Sequence, residues 1–119
     1  MKKYAALLLA IMPCLAGAST LVTPHYIIRI TSQCAEGEVS CDQVRYVGTS
    51  KQSGKRITLT GSTWHTRGRD GSPGRFLGYR FRNGDVTYYV SEVGELSVVR
   101  DRTDVLIDER GEWARQPGE

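Results

Sequence analysis

With 119 residues, a formal charge of +3 and a 39% hydrophobic share, the chain has enough material for one modest core and too little for a two-domain enzyme. The charge is too small for strong phosphate attraction, and the apolar share is too large for a disordered chain. After the N-terminal leader, no apolar run is long enough to span a bilayer as a helix.

Met1 to Ala18 reads as a secretory signal peptide. Lys2 and Lys3 supply the positive start, Ala5 to Met12 an apolar run too short for a permanent span, and Ala16-Gly17-Ala18 a small-residue cleavage site. Cys14 raises lipidation as the alternative, but Met12 and Pro13 stand where a lipobox has small residues. Cleavage after Ala18 leaves a mature β domain over residues 19–113 and a loose polar tail over 114–119. The expected location is therefore periplasmic or secreted. Two cysteines remain there, Cys34 and Cys41, and an oxidising compartment favours a disulfide between them. Closing so short a loop is worth roughly 2.5 kcal/mol on the chain-entropy model. A metal site lacks partners, because His25 and His65 are the only histidines.

Ser19 to Pro24 has no clear pattern. His25 to Thr31 has strand composition, with Tyr26, Ile28 and Ile30 alternating against Ile27 and Arg29, and Ile27 predicts cover on both sides. Ser32 to Ser40 is a polar loop with a turn at Glu36-Gly37-Glu38. Gln43 to Thr63 predicts a hairpin around a four-residue loop, Lys51 to Gly54, placing Tyr46 opposite Leu59 and Val44 opposite Gly61. A three-residue loop would oppose Lys51 to Lys55. Trp64 and His65 extend the second strand, and Thr66 to Arg75, with three glycines and a proline, reads as a projecting, loosely packed loop.

Phe76 to Val90 organises the chain. Asn83-Gly84 predicts a two-residue type I′ turn, with Phe81 facing Val86 and Tyr79 facing Tyr88. Leu77, Tyr79, Phe81, Val86, Tyr88 and Val90 then share one face, and Arg80 and Arg82 the other. A bulged three-residue turn at Glu92-Val93-Gly94 pairs Val90 with Leu96 and Tyr88 with Val98. The turn from Asp101 to Asp104 sets Val99 beside Leu106 and Val98 beside Ile107. The fold expected is all-β: about six strands in a small antiparallel meander closing into a barrel or sandwich. Its core consists of Val44, Tyr46, Ile57, Leu59, Leu77, Tyr79, Phe81, Val86, Tyr88, Val90, Leu96, Val98 and Ile107.

The inventory for catalysis is thin: no Gly-x-Ser-x-Gly elbow, no HExxH and no phosphate-binding glycine loop. No catalytic residue, cofactor or metal is therefore expected. His65 is the one candidate base and would need a neighbouring hydroxyl or carboxylate. Nucleic-acid stacking is disfavoured because Tyr79 and Phe81 fall on the inner face. Two surfaces fit protein binding. One is the region of Trp64, His65, Arg67, Arg69 and Arg75, suited to an acidic cleft on a partner. The other is an outward apolar spot of Tyr89, Val99 and Leu106.

The leader, the short disulfide loop and the aromatic-rich meander are similar in size and architecture to the small periplasmic barrels that inhibit lysozymes. Nothing in that resemblance assigns a role to a particular residue. The function expected is a small exported binding protein without enzymatic activity, an inhibitor or immunity-type module for an envelope or extracellular protein. A small periplasmic enzyme using His65 and a structural envelope component are the alternatives.

Overall fold

Period-two alternation and tight turns build one antiparallel sheet in the computed structural model, which describes residues 18–35 and 37–114. Its strands are β1 (Ala18–Val22), β2 (Tyr26–Ser32), β3 (Val44–Ser50), β4 (Arg56–Arg67), β5 (Pro73–Asn83), β6 (Val86–Ser91), β7 (Glu95–Arg100), β8 (Asp104–Arg110) and β9 (Glu112–Trp113). The order across the sheet is β8-β7-β6-β5-β4-β3-β2-β1-β9, which nearly closes it into a barrel. Among the described residues nine strands thus replace the six or so expected. Residues 19–22, which show no clear pattern in the sequence, belong to β1, and the short β9 pairs with it, Leu21 opposite Trp113. No helix among the described residues is long and apolar enough to cross a membrane. The expected leader up to Gly17, with Cys14, lies outside the described residues, as do Glu36 of the first loop and the tail beyond Ala114.

Three hairpins test the turn chemistry. The β3–β4 pair has the expected register, Val44 opposite Gly61 and Tyr46 opposite Leu59. So does β6–β7, with Val90 opposite Leu96 and Gly94 left-handed at φ 95°. In β5–β6 the loop is Gly84-Asp85 rather than Asn83-Gly84, so Phe81 faces Tyr88 and Asn83 faces Val86. Of these loop residues only Gly84 is left-handed, at φ 66°. A type II′ turn asks for one such residue, at its first central position, whereas type I′ needs two. The register moves by two residues, so every side chain keeps its face.

Leu21, Ile28, Ile30, Val44, Tyr46, Phe81, Val90, Leu96 and Val98 are buried, and Ile57, Leu59, Tyr79, Val86, Tyr88 and Ile107 pack against them half-buried. Leu77 falls outside this cluster. Trp64 faces Gly78 and His65 faces Phe76, which leaves Leu77 as the extra residue of a β-bulge. Ile27 is 41% exposed, so β2 is covered on one side only; Ile28 and Ile30 take the inner positions. Cys34 and Cys41 form the expected disulfide, their Cα atoms 5.8 Å apart.

The seam between β8 and β9 is made by the chain itself, which turns the corner at Gly111. Gly111 donates its N–H to the Gly94 carbonyl (2.8 Å), and the Trp113 indole donates to the Glu92 carbonyl (2.9 Å). A turn from Thr23 to Tyr26, with Pro24 second, carries His25 to β8, where its backbone N–H and Nδ1 meet the Glu109 carboxylate at 3.1 and 2.6 Å. Burial raises the Glu109 pKa, but hydrogen bonds from the His25 ring, Thr23 and the His25 backbone outweigh it and hold the carboxyl below its usual range. A depressed carboxylate contributes stability above its unfolded pKa, and that stability is lost as pH falls through the lower folded value. Acid titration followed by tryptophan fluorescence is therefore expected to show a shallower loss of stability in Glu109→Gln than in wild type.

Candidate functional site

The strands β4 and β5, of 12 and 11 residues, outrun their neighbours β3 and β6, of seven and six. The ladder with β3 stops at Gly61 and that with β6 at Gly78; past these points single backbone bonds reach Thr63 from Cys41 and Leu77 from Glu92, and β4 and β5 form a ladder only with each other, out to Arg67 opposite Pro73. The expected loop from Thr66 to Arg75 is therefore mostly strand, and the connection proper is residues 68–72. It closes through the Gly68 N–H to the Ser72 carbonyl (2.8 Å), with Gly71 left-handed at φ 85°. Asp70 Oδ1 accepts from the Ser72 hydroxyl (2.6 Å) and N–H (3.1 Å). Those two bonds, the hydroxyl's the larger, lower the Asp70 pKa.

The bulge at Leu77 decides what meets what. Trp64 packs on Tyr89 with ring centroids 5.0 Å apart, diagonally across β5: Gly78, opposite Trp64, carries no side chain, and Tyr89 stands opposite the next residue but one, Arg80. Gly78 has φ 146°, and a Cβ there would collide with the Val90 carbonyl oxygen. His65 stands edge-on to Phe76, and Phe76 edge-on to Tyr79.

Thr63 ties the disulfide loop to the free edge of β4. Its N–H donates to the Cys41 carbonyl (2.8 Å), and its Oγ1 accepts the Cys41 N–H (3.0 Å). The same oxygen lies 3.1 Å from His65 Nε2, while His65 Nδ1 lies 3.2 Å from the Gly74 carbonyl. A carbonyl only accepts, so Nδ1 carries the proton, and in the neutral ring Nε2 accepts from the Thr63 hydroxyl. His65 thus has the hydroxyl that a base would need. Its other nitrogen is oriented by a backbone carbonyl, however, and the Thr63 oxygen is already engaged by Cys41. This contact acts as a strut across the hairpin base.

Above it opens a cleft of about 360 Å³, with Ser40, Thr63, Trp64, His65, Arg67 and Arg80 among its walls and no carboxylate. Arg80 also borders a second outer cleft, of about 520 Å³, shared with Arg82, Arg102, Tyr89, Asp85 and Asp101. Arg67 Nη1 donates to the Gly71 carbonyl (3.1 Å), Arg75 lies 3.6 Å from Glu92, and Arg69 makes no ion pair or hydrogen bond among the described residues. The structure thus gathers Trp64, His65 and Arg67 with Tyr89, and adds Ser40, Thr63 and Arg80, which the sequence did not single out. Arg80 was readable as outward from the hairpin register; Ser40 and Thr63 meet only through the disulfide loop.

Within the spot expected from Tyr89, Val99 and Leu106, the pairing of Val99 with Leu106 is displaced. A register shift after Val98 puts Val105 opposite Val99 and makes Leu106 the extra residue, while Tyr89 faces Ser97. The connection is a three-residue loop in which Asp101 and Arg102 are left-handed, at φ 52° and 73°. Among the described residues no group of three or more His, Cys, Asp or Glu side chains is disposed to hold a metal ion. In comparisons with known proteins the chain matches no family model, no curated protein and no solved structure.

Proposed function

We propose that this chain is a small exported binding protein without enzymatic activity that docks its long β4–β5 hairpin against an acidic site on an envelope or extracellular protein, as an inhibitor or immunity-type module does. The observation that carries this is the hairpin's reach past both neighbouring strands, with a cleft on it that has arginine walls and no carboxylate. The exposed Arg69 and the Trp64–Tyr89 pair beside Arg80 add charge and a rigid aromatic wall, which protein interfaces favour. The disulfide is compatible with an oxidising, exported location.

Simultaneous replacement of Arg67, Arg69 and Arg75 by alanine tests it. The melting temperature is expected to stay nearly unchanged, since exposed charges contribute ~0–1 kcal/mol each. Capture of the partner from envelope extract by the tagged protein is expected to fall, and to fall furthest at low salt, where charge steers association. Equal capture by the triple variant and wild type across salt concentrations refutes the assignment. The second reading, an enzyme with Thr63 as nucleophile and His65 as base, rests on their 3.1 Å contact. Capture of the partner by the wild-type protein without any turnover of the partner sets that reading aside.

A further inference from the structure

The end of β4 opposite the hairpin tip carries a different kind of site. A cavity of about 200 Å³ opens there into the inner face of the barrel. Ile57, Leu96 and Ile107 give it apolar walls, and Tyr26, Tyr46 and Tyr88 converge on it from three strands. The exposed Lys55 and Arg56 also line it, and no carboxylate does.

Tyr46 is the informative residue. It is 2% exposed, its ring held between Phe81 (5.1 Å) and Tyr88 (5.4 Å). Its hydroxyl lies over Gly48, itself part of the cavity wall, where a Cβ would sit 2.7 Å from that oxygen. Burial, then the neighbouring Tyr88 and Tyr26, push its ionisation far above the ordinary phenol range, so the hydroxyl stays a proton donor. Among the described residues it has no hydrogen-bond partner. A buried donor left unsatisfied costs about 1–3 kcal/mol, so such a group calls for an acceptor from outside the chain.

We infer that the cavity binds a small carboxylate with a single-ring or short alkyl body. The carboxylate accepts from the Tyr46 hydroxyl and is drawn by Lys55 and Arg56, while the body fills the space between Leu96 and Ile107. The size agrees: an apolar cavity of about 150 Å³ takes up one benzene ring. The charge agrees too, since both ionised side chains in the lining are cations. This site is independent of the hairpin and of the function proposed for it.

The test is an amide-resolved NMR titration of the mature protein with octanoate, and with octylamine and octanol as charge-reversed and neutral twins. Octanoate is expected to give saturable shifts at Gly48, Ile57 and Ile107, with octanol weaker and octylamine without effect. Tyr46→Phe, which keeps the ring in place, and the Lys55→Ala/Arg56→Ala variant on exposed positions are each expected to weaken octanoate roughly tenfold or more, as charge-assisted hydrogen bonds require. The Arg67/Arg69/Arg75 triple variant is expected to bind octanoate as wild type does. Octanoate shifts that do not saturate, equal binding of octylamine, or unchanged affinity in the cation variant would overturn the inference and leave the cavity to water.

Discussion

Phe81→Ala is expected to cost about 3–5 kcal/mol, enough to leave a domain of this size only marginally folded. Phe81 is 1% exposed and packs against Tyr46 at 5.1 Å. It also lies over Gly61, where an added Cβ would come 2.6 Å from the Phe81 ring. No side chain at Gly61 can move in to fill the void, so the loss should sit at the upper end of that range. Urea unfolding followed by far-ultraviolet circular dichroism would measure it. Tyr79→Ala, at a half-buried position on the same strand, should cost clearly less. Similar losses at the two positions would show that Phe81 does not centre the core.

The second large effect is expected at the seam. Gly111→Ala places a Cβ against the Val22 carbonyl oxygen and 2.9 Å from the Thr23 Cα. Both are backbone atoms and cannot rotate aside. Across the seam a Cβ on Gly94 would lie 2.7 Å from the Gly111 carbonyl oxygen, so the corner is tight from two directions. Overpacking of this kind costs typically about 1–3 kcal/mol and more where nothing can yield. The variant should lose stability together with the Trp113–Glu92 and His25–Glu109 bonds, and the amides of β1 and β9 should exchange faster than those of β5 and β6. Unchanged protection at β1 would mean that the corner does not hold the barrel shut.

The parts of the fold legible in the sequence are those where two independent signals coincide. At Lys51–Gly54 and Glu92–Gly94 the turn residues and the flanking alternation give one register, and the structure has it. At Asn83-Gly84 the alternation assigns the right faces, but two turn types compete for the same residues; the loop sits one residue further on, as type II′, and the pairing moves by two. Bulges hid the rest. Leu77 and Leu106 each interrupt the period of two, so a strand pattern dissolves at Phe76 and the outward spot around Val99 is drawn one residue off. Such strands as β9 are too short to show a period at all. Of the candidate site, the arginines were readable as exposed residues near a turn, and Trp64 as an extension of the strand before it. The Thr63–His65 strut and the cleft beside it were not, because they depend on where the disulfide loop comes to rest.

Closing the barrel through Gly111 also orders its assembly in time. Every ladder but one joins strands consecutive in the chain, so each hairpin can zip up without waiting for distant residues, over a tight turn everywhere except in the disulfide-bearing connection of residues 33–43. The exception, β1 with β9, unites the two ends of the described chain and fits only once the meander between them has curled. Its cost is a long loop closure, modest in free energy because that cost grows with the logarithm of length, but slow to be met by diffusion. The two shortest outer segments are thus expected to act as a latch, last to engage during folding and first to release when the molecule opens.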